Sequence, residues 1–451
     1  MQSDAGWKEL NLGDVIELKR GYDLPKGKRS VGVIPIVSSS GISDFHSEAM
    51  VKGPGVVTGR YGTIGEVFYI DGDFWPLNTT LYVCDFKGSD PRFISYFLRT
   101  LDFQAYSDKG AVPGVNRNHL HTAKIRIPAL PVQKAIARVL DALDSKIDLN
   151  CRINETLEAM AQAIFKSWFV HFDPVKAKIA AIEQGEDPLR AAMRAISGKT
   201  DAELDQMPRG YHDQLAATAA LFPDAMEESE LGEIPKKWVP TAVRDVAEVV
   251  KGKSYSSKDL IDNDDVALVT LKSFERGGGF RMDGFKPYIG PYKPEQVVLP
   301  GDLIVAYTDV TQAAELIGKP AIVVGFEKYK TLVASLDVGI IRPANERVSR
   351  QFLYGLFKTD SFQSHTFAHT SGTTVLHLAK EGVPSYIFAC PAPDLVGIYS
   401  EVAEKMSIKK QGILDQSRSL LNLRDTILPK LLSGELAIDE VVGLADTTGV
   451  T

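Results

Sequence analysis

An α+β fold class, built twice along one chain, is what this sequence predicts. Three observations carry that expectation: an internal repeat, β-like runs broken by turn residues in both copies, and a switch to helical periodicity after each copy. The 451 residues, 44% hydrophobic and 24% charged, have the proportions of a globular chain in water. A chain of this length is expected to divide into two or more domains, each burying its own core.

The repeat opens with WKELNLGDVIELKRG, which lines up with WVPTAVRDVAEVVKG at an offset of 231: Trp7, Asp14, Val15, Glu17 and Gly21 fall over Trp238, Asp245, Val246, Glu248 and Gly252. Further along, PRFISYFLRT (91–100) parallels RQFLYGLFKT (350–359), and RIPALP (126–131) parallels FACPAP (388–393) at an offset of about 262. The order is kept while the offset grows, so the second copy carries roughly 30 extra residues between shared framework elements. Within each copy, runs such as VVTGRYGTIGEVFYI and DLIVAYT read as strands punctuated by Gly, Pro, Asn and Asp, with one amphipathic helix near 91–100 in the first copy.

After each Pro-rich corner the apolar period changes from 2 to about 3.5. In the first long helix, about 132–170, heptad positions fall on Ile136, Leu143, Asn150, Leu157 and Ile164, flanked by Val139, Ile153 and Met160. In the second, about 395–432, they fall on Tyr399, Met406, Ile413, Leu420 and Ile427, flanked by Val402 and Leu423. A helix of about 39 residues is about 58 Å long, too long to pack inside one small domain. Such a seam needs a covering helix, and the comparable seam follows the other copy; two core helices of separate domains are the alternative. Asn150 and Gln416 lie on the seams, where polar residues cost stability and fix register.

The expected organisation is therefore a first domain at 1–131, a long helix at 132–172, a connector at 173–237, a second domain at 238–393, a second long helix at 394–434 and a flexible tail at 435–451. The connector, with Pro174, Gly185, Pro188, Pro208, Gly210, Pro223, Gly232 and Pro235 around short Ala-rich pieces, reads as a crossing and not as a domain.

Composition excludes several classes. Cys84, Cys151 and Cys390 are scattered and show no metal-ligand spacing, so they are expected to be reduced and structural. No apolar run reaches the roughly 18 residues that a membrane span needs, and the opening MQSDAGWKEL has no signal-like h-region; a cytoplasmic location is expected. The net charge of −7 sits in the connector and the tail, leaving two near-neutral modules free to arrange local basic loops. Gly252-Lys253-Ser254 and Gly198-Lys199-Thr200 lack the earlier glycine a phosphate loop needs, since Ala247 and Met193 stand there. The run Gly277-Gly278-Gly279 between Arg276 and Arg281 has no strand-to-helix context and reads as a loop tip. There is no Gly-x-Ser-x-Gly elbow, no HExxH and no Asn-Pro-Pro-aromatic motif for gripping a flipped base. No catalytic residue, metal site or cofactor is expected, and a binding or scaffolding role follows.

The stretch FKSWFVHFDPVKAK (165–178) closes the first long helix and resembles the sequence that ends the central helix in specificity subunits of Type I restriction-modification systems. LGEIPKKW (231–238) and LLSGEL (431–436) are similar to that family at matching places. The resemblance implies two target recognition domains, each followed by a helix, with the helices in an antiparallel coiled coil of pseudo-two-fold symmetry. It further implies a non-catalytic subunit whose partners are double-stranded DNA with a bipartite site, two methyltransferase subunits and, in the full complex, restriction subunits. The helices would set the unread spacer, since half-sites on one face of B-DNA lie about 34 Å per turn apart. A coiled-coil scaffold without DNA readout and an enzyme with an unfamiliar site are the other readings.

Readout of base edges needs Arg, Lys, Asn, Gln, Ser or Thr on loops between framework strands, with further cations on phosphates. In the first domain this points to Lys26, Lys28 and Arg29 in LPKGKRS, to Arg60, Tyr61 and Thr63 in TGRYGTIG, and to Asn116 and Arg117 in GVNRNH. In the second it points to Lys251, Lys253 and Lys258, to Lys272, Ser273 and Arg276, to Tyr307, Thr308 and Thr311, and to Thr373 and Thr374 as counterparts of the Asn116 loop. An ordinary solvated loop charge is the alternative for each. The second copy has no arginine where the first has RYGTIG, which fits half-sites of different sequence.

Overall fold

The computed structural model describes residues 6–107, 114–282, 284–311, 313–325 and 328–436. The chain forms two compact units, residues 1–152 with 413–451 and residues 153–412. Both long helices, Leu130–Phe169 of 40 residues and Pro393–Ser433 of 41, contribute one part to each unit. Of the tail expected at 435–451, everything from 437 onward lies outside the described residues.

In the first unit the opening strand Trp7–Asn11 runs antiparallel to Lys124–Pro128, with Trp7 opposite Pro128, so the domain is zipped shut immediately before its long helix begins. A four-stranded sheet has the order Glu17–Arg20, Thr80–Asp85, Gly55–Gly59, Val67–Ile70. A smaller sheet joins Ile34–Ser38 antiparallel to Gly41–His46 and parallel to Trp75–Pro76. Helix Pro91–Arg99, capped by the Asp90 carboxylate on the Phe93 N–H, buries Phe93, Ile94, Tyr96, Phe97 and Leu98.

The second unit repeats this wiring. Val239–Ala242 zips against Ile387–Cys390, and the four-stranded order is Ala247–Lys251, Val338–Pro343, Leu303–Ala306, Pro320–Ile322. Val266–Val269 again runs parallel to its partner, Thr331–Ala334. Strand Val297–Val298 runs antiparallel on the other edge of Thr331–Ala334, where the first copy has the antiparallel Val51–Phe74 bridge. The repeated glycine has a steric cause in both: a Cβ on Gly21 would lie 2.2 Å from the Leu77 carbonyl oxygen, and one on Gly252 would lie 2.1 Å from that of Ser335.

Within the first unit Ile136, Leu140 and Leu143 share a buried cluster with Leu420, Ile427, Leu431 and Leu432. Asp144 pairs with Arg424 at 2.9 Å, and the Asn150 amide donates to Gln416 at 3.0 Å and to the Ser417 hydroxyl at 3.1 Å. One residue number rises as the other falls, so these helix segments run antiparallel, and the two polar seam residues meet directly. Within the second unit Phe165, Trp168 and Phe169 pack with Leu395, Val396, Tyr399 and Ala403, and Glu158 pairs with Lys410 at 2.7 Å, again antiparallel. One seam expectation is corrected: Met160 is exposed and Asn154, one turn after Asn150, is buried in the seam.

Each domain's opening tryptophan sits at the end of a long helix. In the first unit a Cβ on Gly434 would come within 2.8 Å of the Trp7 indole. In the second unit Trp238 stacks obliquely on Phe169 and edge-on to Phe172.

The connector is more than a crossing. Helices Asp173–Gln184, Pro188–Ser197, Asp201–Asp205 and Arg209–Ala220 close around Ala192, Met193, Leu204 and Ala219. Arg190 and Arg194 both clasp Asp201, at 2.6 and 2.7 Å. Its Pro and Gly residues work as helix punctuation: Pro174 and Pro188 start helices, and Gly185 and Gly198 end them at φ of 72° and 66°.

Candidate nucleic-acid interface

The first unit gathers five of its eight predicted residues on one sheet edge. Arg60 leaves strand Gly55–Gly59 with its N–H donating to the Thr79 carbonyl at 2.9 Å, while its own carbonyl accepts from the Val115 N–H at 3.0 Å. That second bond stitches the RYGTIG loop to the GVNRNH loop, bringing Arg60, exposed Tyr61 and exposed Thr63 beside Asn116 and exposed Arg117. The Arg60 guanidinium lies 4.6 Å from the centroid of the Tyr61 ring. Asn116 accepts the Asn118 N–H at 3.0 Å and so caps helix Arg117–His121.

Lys26, Lys28 and Arg29 lie apart from that edge, at the opposite end of strand Ile34–Ser38. Lys26 and Lys28 are exposed in a short 3-10 turn. Arg29 has a different job: its guanidinium pairs with Asp44 at 2.8 Å, and that bond, joined by the Phe45 N–H, holds the Asp44 carboxyl below its ordinary range. With the Ser30 N–H donating to His46 Nδ1 at 3.0 Å, the loop is pinned to strand Gly41–His46. Between the pins Val31 and Val33 stand almost fully exposed.

The second unit presents its candidates less openly. Lys251, Lys258, Lys272, Thr373 and Thr374 are exposed, and Lys253 is half-buried beside Ser335. Ser273 is fully buried, its hydroxyl accepting from the Thr270 N–H at 3.2 Å, so it closes a turn out of reach of any base edge. Tyr307 is buried against Gly339, and burial pushes its phenol well above the ordinary value. Thr308 is buried 3.4 Å from His377. Thr311 spends its hydroxyl on Asp309 at 2.7 Å, a buried carboxylate that also collects the Leu316 and Ile317 N–H groups at 2.6 and 3.0 Å. Burial raises the Asp309 pKa, yet these donors bring it below the usual value, and the AYTDVTQ loop is wound around it. Arg276 is exposed and pairs with Glu315 at 3.3 Å. The pairing of Thr373 and Thr374 with Asn116 is corrected by the register. The Tyr307 carbonyl accepts from the Leu378 N–H at 2.8 Å as that of Arg60 does from Val115, which sets Ala379 opposite Asn116. An insertion between the copies had shifted the alignment.

A family profile described as "Type I restriction modification DNA specificity domain" matches residues 4–159. Over 471 aligned positions the chain is 26% identical to the Type I restriction enzyme HindI specificity subunit of Haemophilus influenzae, covering 96% of this chain and all of that one. The MjaIX specificity subunit of Methanocaldococcus jannaschii is 23% identical, over 77% of this chain and 70% of that one. The crystal structure of a Type I restriction-modification S subunit from M. genitalium superposes with a TM-score of 0.53 at 13% identity, covering 96% of this chain and 97% of that one. Over nearly its whole length the chain is similar to Type I specificity subunits.

Sequence reasoning missed two carboxylates of the first long helix that tie a domain to the helix pair. In the first unit Asp144 receives the Tyr96 hydroxyl at 2.8 Å, Arg99 at 3.5 Å and Arg424 at 2.9 Å. In the second unit Glu158 receives the Tyr354 hydroxyl at 2.8 Å, Lys358 at 2.6 Å and Lys410 at 2.7 Å. Burial raises the Glu158 pKa, but the charges of Lys410 and Lys358 outweigh it and bring the group down to about 2. The available signal was the polar series Asn150, Asn154, Glu158 at steps of four on one helix face. No described helix is long and apolar enough to cross a membrane, and among the described residues no His, Cys, Asp and Glu cluster could hold a metal ion.

Proposed function

We propose that this chain is the non-catalytic DNA-specificity subunit of a Type I restriction-modification complex, in which each domain reads one half of a bipartite site. The helix pair sets the number of unread base pairs between the halves and docks two methyltransferase subunits, with restriction subunits joining the full complex. The observation that carries this reading is one strand order built twice in one chain, with a loop edge of different chemistry on each copy. A shared framework suits one duty performed twice, and different edges suit two different base sequences. In the first domain the contacts are drawn from Lys26, Lys28, Arg60, Thr63, Asn116 and Arg117. In the second they come from Lys251, Lys253, Lys258, Lys272 and Arg276, with Thr373 and Thr374 at its hairpin tip.

Methylation mapping of random DNA exposed to the complex of this chain and its methyltransferase partner tests the reading. One split motif with two unlike halves and a single gap is expected. No enrichment would point to a scaffold without readout, and methylation by the isolated chain would point to an enzyme. Inserting seven residues into both helices, between Arg152 and Ile153 and between Gly412 and Ile413, lengthens the pair by about 10 Å. The gap should then grow by about three base pairs at 3.4 Å each.

A further inference from the structure

Arg60 is fixed at both ends of its peptide unit by the bonds to Thr79 and Val115, so its Cα has little freedom. Its guanidinium lies over the Tyr61 ring at 4.6 Å. The ring is itself held, because it lies so close to Gly114 that a Cβ there would sit 2.2 Å from a ring carbon. Several other arginines of this unit are engaged by acids: Arg29 by Asp44, Arg92 by Asp71 and Asp141, Arg99 by Asp144. No acid engages Arg60 among the described residues. The result is a planar set of donors, oriented by an aromatic platform and uncompensated, at the edge of the sheet.

A stacked guanidinium keeps its in-plane N–H groups free, so its ligand must offer two acceptors in one plane. On DNA that means a phosphate or the O6 and N7 of guanine, the one base with two acceptors on its major-groove edge. The second domain separates these. Phosphates are the same at both half-sites, so a backbone grip would be worth keeping in both copies, whereas a base contact belongs to one. The residue equivalent to Arg60 by hydrogen-bond register is Tyr307, which is buried. We propose that Arg60 reads a guanine through O6 and N7 in the half-site bound by the first domain, with Tyr61 as its positioning residue. This rests on the chain being a DNA-specificity subunit.

The test selects split motifs from a random duplex pool with the full chain in complex with its methyltransferase partner, comparing wild type with R60K, R60A, Y61F and Y61L. Wild type should select a guanine in the first half-site. R60K keeps the charge and loses the fork, so preference at that one position should fall roughly ten- to a hundredfold. The second half-site should stay intact in the same molecules, which shows that they are folded. Replacing that guanine by 7-deazaguanine should cost wild type a similar factor and R60K little. Y61F should keep the preference, and Y61L should relax it at the same position. If R60K selects the unchanged motif while R60A weakens all sequences equally and lowers the salt dependence, Arg60 holds a phosphate and the proposal falls. A wild-type complex that selects no motif at all overturns the specificity reading, and the role of Arg60 with it.

Discussion

Asp144 in the first unit and Glu158 in the second hold matching posts: each takes a tyrosine hydroxyl and a cation from its domain's helix, and a second cation from the second long helix. The domain framework is thus duplicated faithfully. The helix pair is not, because both acids stand on the first long helix and both cations on the second, where exact repetition would have exchanged them. An acid helix facing a basic one prefers its complement over a copy of itself, and a pair of charged posts narrows the choice of sliding register. The domains are repeated, and the two long helices have become different from each other.

The largest expected effect separates the two posts. E158A strands Lys358 and Lys410, for which no other acid is within ion-pair range among the described residues, and in this half-buried cluster the cost should be about 2–3 kcal/mol, below that of a fully buried pair. D144A leaves Arg424 its second bond, to Asp425 at 2.8 Å, and should cost only about 1–2 kcal/mol. Urea unfolding of the single variants measures both, and equal losses would end the distinction.

Acid should act through the same post. The folded Glu158 pKa of about 2 lies below the value near 4.3 of an unfolded glutamate, so its contribution is complete above about pH 5 and drains as pH falls toward 2. The change is at most about 3 kcal/mol, and E158A should remove that part of the acid slope. An unchanged slope in E158A would show that other carboxylates govern acid unfolding.

The glycines test the equivalence of the copies directly. G21A and G252A each drive a Cβ into a backbone carbonyl at about the same distance, so each should destabilise by about 1–3 kcal/mol. Similar losses in both are expected from thermal unfolding. A silent substitution in either copy would break the correspondence between Gly21 and Gly252.

What could be read in advance follows from how local each signal is. The long helices expected at 132–170 and 395–432 are found at Leu130–Phe169 and Pro393–Ser433, because heptad periodicity is written into neighbouring residues. Gly21, Gly252 and the two tryptophans were legible because the repeat displays them twice. The loops were harder, since the direction of a loop side chain is set by a partner distant in sequence. Arg29 is claimed by Asp44 and Tyr307 by the space above Gly339. Nothing around those two residues announces their partners. The connector misled for another reason, as proline and glycine mark helix ends as readily as they mark a linker.

The smallest energetic effect bears most on the helix pair. Asn150 donates to Gln416 and Ser417 midway between the Asp144 and Glu158 posts, and polar seam residues trade stability for register. In N150V an apolar side chain replaces one that was costly to bury, so stability should change by less than about 1 kcal/mol. The register, though, loses its central pin and is left to the two charged posts. Methylation mapping with N150V should therefore show a gap that is no longer single-valued. A gap that stays single, together with a stability loss above about 2 kcal/mol, would mean that Asn150 is an ordinary structural contact and that Asp144 and Glu158 alone set how the helices align.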